Sequence, residues 1–187
     1  MLKILLADDH SILRSGLRKI LEGEFPDAQV LEAGTAEEAL ERVRAEALDL
    51  VVLDVSLPGR SGLDILPDLR AAQPRLPVLV LSMYGEQQFA VRALKAGAAA
   101  YLTKEHAADE LIRAIRTVLS GRRYIGASLA EELAAHVALD RERPPHELLS
   151  AREFEVFRLI ASAKGLTEIA EDLGLSVKTV STYRTRI

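Results

Sequence analysis

Residues 50–59, Leu-Val-Val-Leu-Asp-Val-Ser-Leu-Pro-Gly, decide the fold. They begin with four consecutive apolar residues, which is typical of a strand covered on both faces, as in the middle of a parallel sheet flanked by helices. Asp54 follows directly, and Pro58 and Gly59 mark a turn shortly afterwards. The stretch therefore predicts a central strand whose last residue is a carboxylate at the carboxyl edge of the sheet, where open α/β sheets bind ligands.

The segments around this stretch repeat one pattern, in which a short apolar run precedes apolar residues at helical spacing. Five such units in succession predict an α/β fold with a five-stranded, parallel, doubly wound sheet. We expect the flavodoxin-like strand order 2-1-3-4-5. The predicted strands are residues 3–7, 29–33, 50–54, 77–82 and 99–103.

The sequence changes character after Gly121. Residues 122–147 combine an Ala-rich amphipathic segment with a charged stretch that contains two prolines, which predicts a linker with one amphipathic helix. A capping box at Ser150 then begins a helix, and a short turn at Gly174 separates two further helical segments. We therefore predict one domain over residues 1–121, the linker over 122–147 and a small all-α helix-turn-helix domain over 148–187.

Composition excludes several classes of protein. The 187 residues contain no Cys, which excludes a disulfide framework and a Cys-ligated metal site. The N-terminal apolar run over residues 4–7 is too short for a signal peptide or a membrane span, so we expect a cytoplasmic protein without membrane contact. A net charge of -4 argues against a chain that coats nucleic acid through bulk positive charge, so any contact with DNA must be local.

Three carboxylates are predicted to meet at one edge of the sheet. In the order 2-1-3-4-5 the first and third strands are neighbours, so Asp8 and Asp9 would lie beside Asp54. These groups would raise one another's pKa unless a hard divalent cation with oxygen ligands neutralised them. We therefore predict a Mg²⁺ site formed by Asp8, Asp9 and Asp54, and we interpret His10 as a loop residue beside the acidic pair and not as a ligand.

Two more strand ends bring polar groups to the same edge. Ser82 closes the fourth strand and Lys104 follows the fifth, so that a hydroxyl and an ammonium complete a pocket of phosphoryl size. Each residue alone could be an ordinary cap, strand end or solvated lysine. Their joint placement favours attack by the Asp54 carboxylate on a phosphoryl group, with Mg²⁺ and Lys104 neutralising charge on the transferring oxygens.

Several motifs resemble the receiver domain of bacterial two-component response regulators, whose fold is CheY-like. They are Asp8-Asp9, Asp54 with Pro58-Gly59, Leu81-Ser82-Met83-Tyr84, Ala96-Gly97-Ala98 and Tyr101-Leu102-Thr103-Lys104. Residues 149–153, Leu-Ser-Ala-Arg-Glu, and residues 175–180, Leu-Ser-Val-Lys-Thr-Val, are similar to the LuxR-type DNA-binding domain. The whole chain therefore resembles the NarL/FixJ subfamily.

This resemblance implies a mechanism of regulation. A sensor histidine kinase would phosphorylate Asp54, and Ser82 and Tyr101 would form a switch pair, in which the hydroxyl turns toward the phosphoryl group and the aromatic ring follows inward. Taken alone, Tyr101 could be an ordinary half-buried strand aromatic. The implied partners are promoter DNA, RNA polymerase and a second copy of the chain in a homodimer formed on phosphorylation.

The last predicted helix, after Ser176, carries a local charge of +3 without any acid. Val180 and Tyr183 fall on one side of it, and the opposite side is predicted to face the major groove of DNA. Arg184 lies near the apolar side, where a phosphate contact and an ion pair with an acid of the preceding helices are equally open. The residues predicted to contact DNA are Lys178, Thr179, Ser181, Thr182, Thr185 and Arg186.

The resemblance also implies a fourth helix after this one, and we read the sequence, which ends at Ile187, as lacking it. Two alternative functions stay open. A haloacid-dehalogenase-like phosphotransferase or phosphatase would need a second Asp two residues after the nucleophile, where this chain has Ser56, so we expect a regulator and not an enzyme. A receiver-based interaction module without DNA binding is the other alternative.

Overall fold

A computed structural model of the chain describes residues 1–83, 87–105, 107–126, 130 and 149–187. Its sheet is parallel throughout and has the order β2-β1-β3-β4-β5-β6, which confirms the predicted doubly wound fold. The strands are β1 (Lys3–Ala7), β2 (Gln29–Ala33), β3 (Leu50–Asp54), β4 (Val78–Ser82), β5 (Ala100–Thr103) and β6 (Tyr124–Ile125).

The sheet has six strands, so the prediction of five was wrong. Residues assigned to the linker form β6, which pairs with β5 through the register of Ala100 with Tyr124. Two residues are too short to produce an alternating pattern in the sequence. Tyr124 is buried, and its hydroxyl donates a hydrogen bond to Glu110 at 3.1 Å, so tertiary contacts hold this strand in place.

The five helices that flank the sheet lie on its two faces. One face of β3 contributes Val51 and Leu53 to a core with α2, α3 and α4, and the other contributes Leu50 and Val52 to a core with α1 and α5. The predicted burial of this strand on both faces is therefore confirmed. The helices are α1 (Ser11–Glu24), α2 (Ala36–Ala45), α3 (Gly62–Ala72), α4 (Gln87–Ala96) and α5 (Ala107–Leu119).

Residues 149–187 form a helical unit with its own core. Its helices are α6 (Ala151–Ala161), α7 (Leu166–Asp172) and α8 (Val177–Arg186). The capping box predicted at Ser150 is present, and Gly174, with φ of 60°, forms the turn before α8. The amphipathic helix predicted in the linker falls outside the described residues, apart from Ala130. Within the part of the chain that the structure describes, no helix is both long and apolar enough to span a membrane.

Candidate functional site

The carboxyl edge of the sheet brings the predicted acidic residues together. β1 and β3 are neighbours, with Ala7 opposite Leu53, so Asp8 follows β1 at the level where β3 ends in Asp54. One ligand atom from each of Asp8, Asp9, His10 and Asp54 lies within 4.8 Å of all the others. Asp8 and Asp54 are buried and Asp9 is exposed, so the cluster is open to solvent on one side.

Lys104 joins two of these carboxylates. Its backbone N–H donates to the carbonyl of Ser82 at 2.7 Å, which fixes the residue beside the end of β4. Its ammonium Nζ lies 2.7 Å from Asp54 Oδ2 and 2.8 Å from Asp8 Oδ2, with the side chain only 5% exposed. A single ammonium therefore neutralises part of the charge of two buried acids.

Burial governs the acid–base properties of this pocket. Burial raises the pKa of Asp54 above its usual value, and the neighbouring Asp8 raises it further against the opposing effect of Lys104. Burial alone would lower the pKa of Lys104, but Asp54 and Asp8 raise it, so the lysine stays charged at neutral pH. The pocket thus holds more acid than base, and a bound cation would supply the missing positive charge.

The donor set fits Mg²⁺. This ion prefers hard carboxylate and water oxygens, and the cluster supplies carboxylates on a side open to water. His10 lies in the same cluster, with Nδ1 2.7 Å from Asp9 Oδ1, and its side chain is 61% exposed. An imidazole is not a preferred Mg²⁺ ligand. The interpretation of His10 as a loop residue that does not bind the ion stays a prediction.

The predicted switch pair occupies neighbouring strands next to this pocket. Asp54 pairs with Leu81, so Ser82, which is fully buried, comes one residue beyond that pair at the end of β4. Tyr101 on β5 pairs with Val80 on β4, and its ring is packed in the core in this structure. Both residues therefore lie where a switch at the phosphoryl pocket would need them, and the switching itself stays a prediction.

Two contacts of Asp54 were missed by the sequence reasoning. The backbone N–H of Ser56 donates to Asp54 Oδ1 at 3.2 Å. Gly62, the first residue of α3, packs so closely that a Cβ atom there would collide with the carbonyl oxygen of Asp54. A glycine directly after a Ser helix cap was the available signal, but the close approach depends on tertiary packing.

A third missed contact comes from the other end of the chain. Glu155 on α6 is fully buried, and Ser56 Oγ lies 3.5 Å from its Oε1. Nothing in the local sequence relates positions that lie 99 residues apart. The pocket is therefore bordered by a side chain of the helical unit.

The predicted DNA-contacting residues all lie on α8. Val180 is fully buried in the core of the helical unit, which fixes the inward side of this helix. Arg184 makes no ion pair with any described residue, so the structural alternative for it is not found in this part of the chain. On the outward side Lys178, Thr182, Thr185 and Arg186 are exposed, and Thr179 and Ser181 are half-buried.

Several hydroxyl groups on this helix already form hydrogen bonds with its backbone. Thr182 Oγ1 and Thr185 Oγ1 each donate to a carbonyl one turn earlier at 3.0 Å, and the Ser176 side chain caps the helix by accepting from Thr179 N–H at 3.1 Å. Hydrogen bonds from Ser150 lower the pKa of Glu153, and Arg186 lowers it further, so Arg186 lies within electrostatic reach of α6. The outward face otherwise presents polar and positive groups, as a DNA-reading helix requires.

Two family models match this chain. The model described as "Response regulator receiver domain" matches residues 4–116, and the one described as "Bacterial regulatory proteins, luxR family" matches residues 147–187. The response regulator UvrY of Escherichia coli is 36% identical over 188 residues, covering 100% of this chain and 86% of that protein. The response regulator GacA of Pseudomonas aeruginosa is 36% identical over 189 residues, covering 100% of this chain and 88% of that protein.

Solved structures give the same likeness. RcsB from Salmonella enterica, bound to promoter rprA in the presence of phosphomimetic BeF3-, has a TM-score of 0.68 and 25% identity, covering 99% of this chain and 89% of RcsB. A two-component response regulator of the LuxR family from an Aurantimonas species has a TM-score of 0.68 and 36% identity, covering 73% of this chain and 97% of that chain. The likeness to RcsB thus extends over both the sheet and the helical unit.

Proposed function

This chain belongs to the two-component response regulators of the NarL/FixJ subfamily, which are DNA-binding transcription regulators controlled by phosphorylation, and we propose that Asp54 is its phosphoacceptor. One observation carries the proposal. The Asp54 carboxylate is buried at the end of the central strand, 2.7 Å from Lys104 Nζ and in one cluster with Asp8 and Asp9. Asp8 shares this burial and the contact with Lys104, but of the two carboxylates it is Asp54 that ends the central strand β3.

In the proposed reaction, a sensor histidine kinase supplies the phosphoryl group. An oxygen of Asp54 bonds to phosphorus, the bond from phosphorus to the kinase's histidine nitrogen breaks, and that nitrogen keeps the electron pair. Lys104 neutralises charge on the transferring oxygens, and the Ser56 N–H keeps Asp54 oriented. Asp8, Asp9 and Asp54 would hold Mg²⁺, which supplies positive charge to the phosphoryl oxygens when it is bound.

The output would follow from the neighbouring strands. The Ser82 hydroxyl would turn toward the phosphoryl group, and Tyr101 would follow, shifting a two-state equilibrium that controls homodimer formation or DNA binding. Promoter DNA would be read in the cytoplasm by the outward side of α8, and the bound regulator would act on RNA polymerase. In this proposal the receiver spans residues 1–121 together with β6, the linker runs from there to residue 147, and the DNA-binding domain spans residues 148–187.

The enzyme alternative is less well supported. A haloacid-dehalogenase-like enzyme needs a general acid two residues after its nucleophile, and Ser56 stands there. The helical unit has an exposed, basic recognition helix, which a phosphatase would not need. This second observation also favours DNA binding over a receiver that acts only as an interaction module.

The test is intact mass spectrometry of the chain before and after acetyl phosphate with Mg²⁺. We expect the mass of one phosphoryl group to be added, Asp54→Asn to block the addition, and a chelator to stop it. Asp49→Asn is the matched control, because Asp49 precedes the same strand at the opposite edge of the sheet. Stoichiometric labelling of Asp54→Asn would refute the assignment.

A further inference from the structure

The DNA-binding domain is attached to the receiver next to the phosphorylation pocket. Arg152 on α6 is 2% exposed, and its Nη2 donates to the carbonyl of Leu57 at 2.8 Å and to that of Gly59 at 3.3 Å. Both carbonyls belong to the loop between Asp54 and α3. A guanidinium of one domain thus binds the backbone of the loop that follows the phosphoacceptor in the other.

Apolar contacts surround this guanidinium. Ala151 and Phe154 on α6 belong to the same core cluster as α3 and α4 of the receiver. The Phe154 ring meets Phe89 edge-on, with centroids 5.1 Å apart, and the Arg92 guanidinium lies 4.6 Å above Phe154. The contact between the domains therefore has a packed core, which gives it a defined geometry.

A chain of polar contacts connects this interface to Asp54. Arg152 Nη1 lies 2.6 Å from Glu155 Oε2, and the other oxygen of Glu155 is 3.5 Å from Ser56 Oγ. The backbone of Ser56 in turn donates to Asp54 at 3.2 Å. In space, Ser56 is the residue that contacts both the Asp54 and the Glu155 carboxylates. The two carboxylates are therefore close enough for the charge of Asp54 to act directly on Glu155.

Acids and bases lie close together at this interface. Asp54 and Asp64 act on Glu155, Arg152 and Arg60 act on Asp64, and the ammonium of Lys104 is already shared by Asp54 and Asp8. A phosphoryl group on Asp54 adds further negative charge to a side chain whose charge already acts on Glu155. Repulsion between the two would weaken the attachment of α6.

The attached position leaves the reading face of the DNA-binding domain free. Lys178, Thr182 and Thr185 on α8 are exposed in the docked arrangement. The receiver therefore does not cover this face, and the contact instead fixes how the domain is oriented on the receiver. Two copies that must align on neighbouring half-sites are sensitive to that orientation.

We propose that Glu155 is a direct sensor of the charge on Asp54, so that phosphorylation weakens the docking of α6 on the receiver by repelling the Glu155 carboxylate. This inference rests on the proposed role of Asp54 as phosphoacceptor. It adds a route between the two domains that does not pass through Ser82 and Tyr101. It also assigns a regulatory role to a residue of the DNA-binding domain itself.

Docking can be measured with a disulfide, because the chain has no Cys of its own. A Cβ atom on Gly174 would lie 3.6 Å from Cβ of Pro58, which is within the separation that disulfides require, about 3.5–4.5 Å. The double variant Pro58→Cys/Gly174→Cys therefore reports the docked state through its rate of intramolecular crosslinking under mild oxidation. Intact mass of each sample gives its phosphorylation separately.

In this background we expect acetyl phosphate with Mg²⁺ to slow crosslinking several-fold. Glu155→Gln, which keeps the shape and removes the charge, should remove most of that response. Glu171→Gln, an exposed acid on the same domain, is the matched control and should keep it. If Gln is not tolerated at position 155, as judged by loss of helical circular dichroism, Glu155→Met provides the uncharged side chain.

Three results would overturn the inference. Phosphorylated protein that crosslinks at the unphosphorylated rate would show that docking does not respond to Asp54. A full response in the uncharged variants of Glu155 would show that another group senses the charge. Absence of any added phosphoryl mass would instead refute the proposed function, and with it the premise of this inference.

Discussion

The pocket at the end of β3 and the outward face of α8 hold charge in opposite ways. In the pocket, Asp54 is 1% exposed and is contacted by Lys104 and Ser56, so its position is fixed. On α8, Lys178 and Arg186 are exposed and form no ion pair with residues that the structure describes. The fixed side chains of the pocket therefore leave a change of charge as the signal to which the pocket can respond. The exposed side chains of α8 can instead change conformation to fit the DNA.

The pair of Arg152 and Glu155 lies between these two regions and shares features of both. It is buried like the pocket, yet it belongs to the domain that carries the recognition helix. A buried ion pair adds little stability by itself, because desolvation offsets the attraction, but removal of one partner leaves an uncompensated charge. Substitutions at the pocket, at the pair and on the helix face should therefore have effects of very different size.

Arg152→Ala should have the largest effect. It leaves Glu155 buried without its counterion and removes two hydrogen bonds to the receiver loop, so we expect a loss of about 3–5 kcal/mol in the free energy of unfolding. Urea denaturation followed by circular dichroism measures it. Arg44→Ala, at an exposed position on α2, is the control and should change stability by less than about 0.5 kcal/mol. Equal effects of the two variants would show that the buried pair does not hold the domains.

Gly62→Ala should come next. A Cβ at this position overlaps the Asp54 carbonyl, so the backbone must move, at a cost of about 1–3 kcal/mol and with slower phosphorylation by acetyl phosphate. Gly16 offers the contrast, because a Cβ there meets nothing within 4 Å on an exposed part of α1. Gly16→Ala should stabilise the protein by about 0.5–1 kcal/mol. A pocket unaffected by Gly62→Ala would mean that the backbone of Asp54 tolerates displacement.

The third prediction concerns pH. Burial raises the pKa of Glu155 to about 7, with Arg152 opposing and Asp64 and Asp54 adding to the shift. Because this pKa lies above the unfolded value, the folded state binds an extra proton, and its contribution to stability is lost as pH rises through 7. We expect the free energy of unfolding to be about 1 kcal/mol higher at pH 6 than at pH 8 on account of this group. Glu155→Gln should remove that difference, and persistence of the full difference would assign it to other groups.

Lys178→Ala should have the smallest effect. An exposed lysine that contacts one phosphate contributes about one unit to the slope of log affinity against log salt, so that slope should fall by about one. Binding to promoter DNA at several salt concentrations measures it. Lys19→Ala, an exposed lysine on α1, should leave the slope unchanged. An unchanged slope for Lys178→Ala would place this residue away from the DNA backbone.

The sequence was sufficient to predict the features that depend on the order of strands and helices along the chain. Four apolar residues before Asp54 predicted a strand buried on both faces, and parallel strands place their carboxyl ends at one edge, so the convergence of Asp8, Asp9, Asp54 and Lys104 followed. The cap at Ser150 was equally local, because its signal lies within four residues.

Features that depend on contacts between distant segments could not be predicted. The strand at Tyr124 is too short to have a periodic pattern, and its place is set by pairing with β5. A glycine after the Ser61 cap indicates that some atom comes close, but the local sequence does not identify that atom as the carbonyl oxygen of Asp54. Arg152 and Glu155 have the appearance of an ordinary helix surface pair three residues apart, although both are buried in the folded chain, where they contact a loop of the receiver.

The hydrogen bonds from Arg152 to the carbonyls of Leu57 and Gly59 have a consequence for the exchange of domains between related regulators. A hybrid that is joined in the linker treats each half as independent. Here the fit of α6 depends on the backbone course of a receiver loop and on Ser56 within it. A hybrid that combines this DNA-binding domain with a foreign receiver would therefore need residues 55–61 to be transplanted as well, or its output would no longer follow its input.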